Sequence, residues 1–206
     1  MRYEIKYVFP QYAYNDLIVQ IMSRPLLFRE IYYERQVNNV YFDTPELCDF
    51  RESANGIPNR SKTRVRWYGE LKNINSPKLE YKYKRGSVNG KIVNDYPDFS
   101  IIDIKKLTAD NRYPTLVNTY KRRYFATPDG MLRVTVDRDL RYYGTTQAMI
   151  NSEFGAKSQN VVLEIKFERE DMLESSERIQ GFGWTVYKNS KYVNGINTVL
   201  YGMPPE

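Results

Sequence analysis

Between Arg2 and Glu168 the chain repeatedly alternates apolar and charged residues with a period of two. That is the spacing of a β-strand, whose successive side chains point to opposite faces. In Lys62-Thr-Arg-Val-Arg-Trp-Tyr68 the cations Lys62, Arg64 and Arg66 share one face, about 7 Å apart, and Thr63, Val65 and Trp67 share the other. Four more segments repeat the pattern: Arg2, Glu4 and Lys6 oppose Tyr3, Ile5 and Tyr7; Glu80, Lys82 and Lys84 oppose Leu79, Tyr81 and Tyr83; Arg133, Thr135 and Asp137 oppose Leu132, Val134 and Val136; Glu164, Lys166 and Glu168 oppose Leu163, Ile165 and Phe167. A charged face on one strand is ordinarily a solvated face. Five such faces of mixed sign point instead to an α+β fold in which a closed antiparallel barrel turns apolar residues outward under covering helices and charged residues into a wet, basic lumen.

The intervening sequence supplies the other elements. Leu17, Ile18 and Ile21 recur at helical spacing before Pro25 and predict a covering helix. Two strands are expected near 30–36 and 38–43, divided at Asn38-Asn39, followed by a short helix with Thr44 as cap and Pro45 at its first position, ending at Gly56. A Gly86-to-Gly90 turn makes a hairpin of 78–85 and 91–95. A short helix is expected within 98–112, a strand at 116–126, a turn at Thr127-Pro-Asp-Gly130, a strand at 131–138 that 139–147 extends or follows, and a strand at 161–168. A helix at 171–180 closed by Gly181 and a short terminal helix complete the reading.

Charge changes the picture because it is local. Of a net +6 over 206 residues, the segment 60–91 alone carries +8, with ten Lys or Arg against Glu70 and Glu80. This points to one anion site rather than a general polyanion coat. The length suits a single domain spanning 1–206, and the 19 Tyr favour strands. The chain has no histidine and one cysteine, Cys48. Ser-His-Asp and Cys-His catalysis, His-ligated metals, Cys-rich zinc sites and internal disulfides are thereby excluded, and any metal must be a hard cation on carboxylates. No apolar run is long enough to span a bilayer and no signal peptide is evident, so a soluble, cytoplasmic protein is expected.

Eight motifs in order, Arg2-Tyr-Glu-Ile-Lys6, Val40-Tyr-Phe-Asp-Thr44, Lys62-Thr-Arg-Val-Arg66, Leu79-Glu-Tyr-Lys82, Tyr120-Lys-Arg122, Arg133-Val-Thr-Val-Asp137, Leu163-Glu-Ile-Lys166 and Ser190-Lys191, resemble the polyphosphate polymerase domain of the vacuolar transporter chaperone (VTC) type. That domain belongs to the triphosphate tunnel metalloenzymes of the CYTH-like superfamily. The resemblance implies a barrel whose basic lumen binds a triphosphate and whose carboxylates hold Mn²⁺ or Mg²⁺, with ATP and inorganic polyphosphate as substrates, ADP as product and no DNA. A membrane-protein partner is left open. It implies that Lys6, Arg64, Arg66, Lys82, Arg122, Arg133 and Lys191 are catalytic, that Lys62, Lys84, Tyr120, Lys188 and Ser190 contact phosphate, and that Glu164, with Glu4, holds the metal. Much of the superfamily opens with Glu-x-Glu-x-Lys, and Arg2 in place of the first Glu leans toward the polymerase branch.

Other readings of the same residues stay open at this level. Glu164 could pair with a lumen lysine, Arg133 with Asp137, and Tyr120 could be packing. The barrel could serve a triphosphatase acting on tripolyphosphate or a nucleoside triphosphate. The interleaved cations and aromatics of Arg66-Trp-Tyr68 and Tyr81-Lys-Tyr-Lys84 could form a polyanion or RNA-binding module without catalysis.

Overall fold

The computed structural model describes residues 2–23, 26–86, 88–97, 99–100, 111–145, 155–168 and 170–204. The elements are β1 (Arg2–Pro10), α1 (Tyr14–Ser23), β2 (Arg29–Asp43), α2 (Cys48–Ala54), β3 (Arg60–Tyr68), β4 (Lys78–Arg85), β5 (Val88–Asp95), β6 (Tyr113–Ala126), β7 (Arg133–Tyr143), β8 (Ala156–Lys157), β9 (Asn160–Glu168), α3 (Met172–Gln180) and α4 (Lys191–Tyr201). Hydrogen-bonded neighbours run in the order β1-β9-β7-β6-β2-β3-β4-β5, with β8 beside β7. The recorded strand pairings are antiparallel. The path has two ends, β1 and β5, so the closed ring expected from the sequence is corrected to an open order among the described residues. At one end β5 is exposed along nearly its whole length, the condition of an edge strand.

The described residues divide into two compact units, and β2, β6 and β7 run through both. In the first unit (1–35, 121–140 and 159–189) the apolar faces of β1, β7 and β9 bury Tyr7, Val134, Val136, Leu163, Ile165 and Phe167 against Leu17, Ile18 and Ile21 of α1 and Ile179 of α3. The helices cover the apolar side, as the alternation requires. In the second unit (36–120, 141–158 and 190–206) Val40, Phe42, Val65, Trp67 and Val117 pack with Leu71 and Phe99. Here α4 lies on the opposite, charged side: Tyr192 stacks on Tyr41 with ring centroids 4.9 Å apart. A Cβ on Gly195 would come within 2.4 Å of Leu116, so only glycine lets α4 sit this close.

Several expected boundaries move for local reasons. The break at Asn38-Asn39 is absent and β2 is one 15-residue strand. Neither amide turns back on its own backbone: Asn38 Nδ2 donates to Gly69 O at 2.8 Å and Asn39 Nδ2 to Asn118 Oδ1 at 2.9 Å. α2 starts at Cys48, after Leu47 in a left-handed conformation. The Asp43 carboxylate accepts from the amides of Asp49 and Phe50, and Thr44 Oγ1 from that of Cys48, so Asp43 shares the capping expected of Thr44. The hairpin turns directly after Arg85, with Gly86 at φ 56°. Gly90 instead lies within β5 opposite Tyr83, whose ring occupies the space a Cβ would need. Asp139 adopts φ 53° without ending β7, and α3 closes at Gly181 as expected. The helix expected within 98–112 falls on 101–110, outside the described residues.

Candidate functional site

In the first unit, strand register sets charges side by side. Lys6 lies opposite Glu164, which lies opposite Thr135; one step along, Glu4, Lys166 and Arg133 form a parallel row. Acid and base alternate along β1 and β9 and across that pair, whereas β7 sets Arg133 opposite Lys166 and Thr135 opposite Glu164. Glu164 is paired with Lys166 and lies 3.8 Å from Lys6 Nζ, while Glu4 is 2.8 Å from Lys6 and 4.0 Å from Lys166. Lys6 also donates to Asn189 O at 3.2 Å. Burial alone would raise the Glu164 pKa, but Lys166, Lys6 and Arg122 outweigh it and hold the carboxyl well below its ordinary range. Arg122 donates through two nitrogens to Asp137, at 2.5 and 2.7 Å. Asp137 therefore answers Arg122 and not Arg133, which is exposed on β7.

The second unit holds the denser cationic group. Arg64 is 8% exposed; it donates Nε to Glu80 at 2.7 Å, approaches the same carboxylate through Nη2 at 2.5 Å, and donates Nη1 to Tyr41 at 3.2 Å. Arg66 donates Nε to Asn39 Oδ1 at 2.9 Å and Nη2 to the Tyr120 hydroxyl at 3.3 Å. Its Nη1 is 4.0 Å from Glu80, and Lys91 Nζ is 3.3 Å from it. Burial works against the charge of Glu80, yet Arg64, Arg66 and Lys82 keep its pKa far below the usual carboxylate range. Next to this knot Lys62, Lys82 and Lys91 stand directly opposite one another on β3, β4 and β5. Ser190 caps α4 and accepts from Lys62 Nζ at 2.9 Å, and Lys191 Nζ lies 4.9 Å over the Tyr120 ring.

Thus Arg64, Arg66, Lys82, Lys62, Tyr120, Ser190 and Lys191 of the sequence reading come together in the second unit, and Lys6, Glu4, Glu164, Arg122 and Arg133 lie on neighbouring strands of the first. Lys84 lies one row from the lysines, opposite Arg60 and Asn89. Lys188 is exposed just before α4. The sequence reading did not find Asn39, Tyr41 and Lys91. Lys91 was legible as a member of the basic segment, whereas Asn39 and Tyr41 became visible only through the β2–β3 register, which sets them opposite Arg66 and Arg64.

The alternative pairing of Glu164 with a lysine is realised, and the donor set can still accept a divalent cation. Among the described residues no group of three acidic side chains converges, so they offer no all-protein cage. Mg²⁺ and ions like it use one or two carboxylates and complete their shell with water and substrate phosphates. Glu164 and Glu4 supply the two carboxylates that mode uses, on neighbouring strands and sharing Lys6 and Lys166 as partners.

The fold recurs in solved structures. A provisionally assigned adenylate cyclase from Vibrio parahaemolyticus is 13% identical, with 92% of this chain and 94% of that one covered at a TM-score of 0.53. A protein from Pyrococcus horikoshii OT3 is 15% identical, with 93% and 96% covered at a TM-score of 0.52. No curated protein matches the chain by sequence. Among the described residues no helix is long and apolar enough to cross a membrane. The model of the VTC domain family matches residues 1–105 and 100–200, and with nearly the whole sequence accounted for, the chain belongs to the VTC domain family.

Proposed function

We propose that the chain is a metal-dependent polyphosphate polymerase that transfers the terminal phosphoryl group of ATP to a polyphosphate chain and releases ADP. A terminal oxygen of the acceptor chain forms a bond to the γ-phosphorus, and the bond from that phosphorus to the β–γ bridging oxygen breaks, its electron pair leaving with ADP. Such transfer needs in-line positioning and neutralised oxygen charge more than a covalent nucleophile, so a site without histidine suffices. The observation that carries the reading is the row Lys62, Lys82 and Lys91 beside Arg64 and Arg66. Like charges directly opposite on a sheet repel, and a linear anion laid along the row turns that repulsion into attraction. Arg64 and Arg66 are assigned to phosphate oxygens as planar clamps, and Lys62, Lys82, Lys91 and Lys191 act as point charges along the chain. Glu164, with Glu4, is assigned to Mn²⁺ or Mg²⁺, which when bound neutralises phosphate charge. Membership in the VTC domain family supports a substrate that is a phosphate chain.

The test is to incubate the purified chain with ATP and Mn²⁺ or Mg²⁺ and resolve the products on a polyphosphate-stained gel. Chains that lengthen with ADP release, stop with EDTA and fall about 10³-fold in Arg64→Ala or Arg66→Ala are expected. Inorganic phosphate without longer chains would make the protein a triphosphatase. Neither product, with tight metal-independent RNA binding, would make it a binding module.

A further inference from the structure

One polar atom of the second unit is left over by the geometry around Arg66. A guanidinium can only donate, so its Nε bond fixes Oδ1 of Asn39 as the acceptor and turns the Asn39 Nδ2 toward Asn118, whose Oδ1 accepts it. Both amide orientations follow from the arginine. What remains is the Asn118 Nδ2, a donor that is buried and without a hydrogen-bond partner among the described residues. Asn118 itself is 0% exposed. A donor left unmade at such a position costs its full desolvation, which an apolar side chain of the same size would avoid.

The surroundings specify the missing partner. Leu116 and Tyr120 flank Asn118 on the same face of β6. Leu116 meets Gly195 and Tyr120 lies beneath Lys191, so Asn118 sits under the turn of α4 between those residues. In that turn Asn194 Nδ2 is a second buried donor without a partner among the described residues. Lys191 and the Arg66 Nη2 add further donors. Asn118 Nδ2 and Asn194 Nδ2 are both buried donors without an acceptor among the described residues, and an oxygen with several lone pairs is what would answer them.

We infer that Asn118 is a substrate-binding residue, donating Nδ2–H to an oxygen of the bound phosphate chain, with Asn39 behind it as a positioning residue. One carboxamide relay then both sets Arg66 and recognises the anion, so that the arginine and the amide are placed together. The inference rests on the phosphate-chain reading above. It is tested by calorimetric titration of the full chain with inorganic tripolyphosphate, without ATP or metal. Asn118→Leu, similar in size, lacks the donor and also the Oδ1 that Asn39 Nδ2 needs, so it is expected to raise Kd about tenfold or more and to lower the melting temperature. Asn118→Asp keeps Oδ1 for Asn39 and replaces the donor by an anionic oxygen, so its loss is larger, about 100-fold, and it decides the matter if the leucine variant does not fold. The dependence of Kd on salt keeps its slope in Asn118→Leu, because no cation has been removed, and flattens in Arg66→Ala. Wild-type affinity in both Asn118 variants overturns the inference, as does a flattened slope in Asn118→Leu, which marks a displaced arginine. A wild-type chain that does not bind tripolyphosphate refutes the phosphate-chain reading itself.

Discussion

Replacing Glu80 by glutamine tests whether the buried charges of the second unit stand as an interdependent group. Glu80 is 4% exposed and Arg64 8%. The carboxylate takes two contacts from Arg64, at 2.5 and 2.7 Å, and one from Lys91 at 3.3 Å. Removing one partner of a buried ion pair costs about 3–5 kcal/mol, because the other charge stays desolvated. Glutamine retains one oxygen for the Arg64 Nε and Tyr41 still accepts from Nη1, so the loss lies near the low end, about 3 kcal/mol. The comparison is Glu164→Gln, whose partners Lys6 and Lys166 have side chains 27% and 31% exposed. They can turn to water, which limits that loss to about 1 kcal/mol. In a chain of this length 1 kcal/mol moves the melting temperature by about 2–4 °C, so Glu80→Gln should melt roughly 6–12 °C below wild type and Glu164→Gln roughly 2–4 °C below it. Differential scanning calorimetry on the two variants reads both. Melting temperatures within about 3 °C of each other would show that burial of the arginine does not decide the energetics, and would refute the reasoning.

Two further outcomes follow from the same geometry. Glu80 and Glu164 both have native pKa values below the ordinary 4.5, so the unfolded chain binds protons first as pH falls; their stabilisation is complete above about pH 4.5 and drains away below it, and urea midpoints between pH 7 and pH 3 should fall less steeply in Glu80→Gln than in wild type, an equally steep fall counting against the assignment. Gly195→Ala should destabilise by about 1–3 kcal/mol despite better helix propensity, since its Cβ would lie 2.4 Å from Leu116 and 2.7 Å from Tyr142; a neutral or stabilising result in chemical denaturation would mean that α4 does not press on β6.

The faces of the strands were legible because a period of two has only two phases, and burial selects between them. Val65 and Trp67 are 0% exposed, while Arg64 and Arg66 on the other face meet Glu80, Tyr41, Asn39 and Tyr120. Helix α1 was legible from the spacing of Leu17, Ile18 and Ile21, and the end of α3 from the glycine after it. What misled at Asn38-Asn39 was local propensity, since asparagine favours turns when its amide bonds its own backbone. Both amides found partners on other segments, and the strand ran through.

Register was the harder quantity, and the chemistry depends on it. Sliding β4 by two residues along β3 would leave every side chain, Leu79, Tyr81 and Tyr83 included, on its present face, so the hydrophobic pattern alone is indifferent to the slip. The charges are not indifferent. In the observed register Arg64 faces Glu80 and Lys62 faces Lys82; after a slip one way Arg64 would face Lys82, and after a slip the other way Lys78. Either slip would leave Glu80 opposite a different cation and a buried guanidinium opposite an ammonium. The carboxylate of Glu80 thus favours one register among those the apolar face allows, and that register lines up Lys62, Lys82 and Lys91. On this view a buried acid in a cationic site has a structural reason to be there apart from any metal. It locks the strands so that the lysines stand in a row, the arrangement on which the proposed binding of a phosphate chain depends.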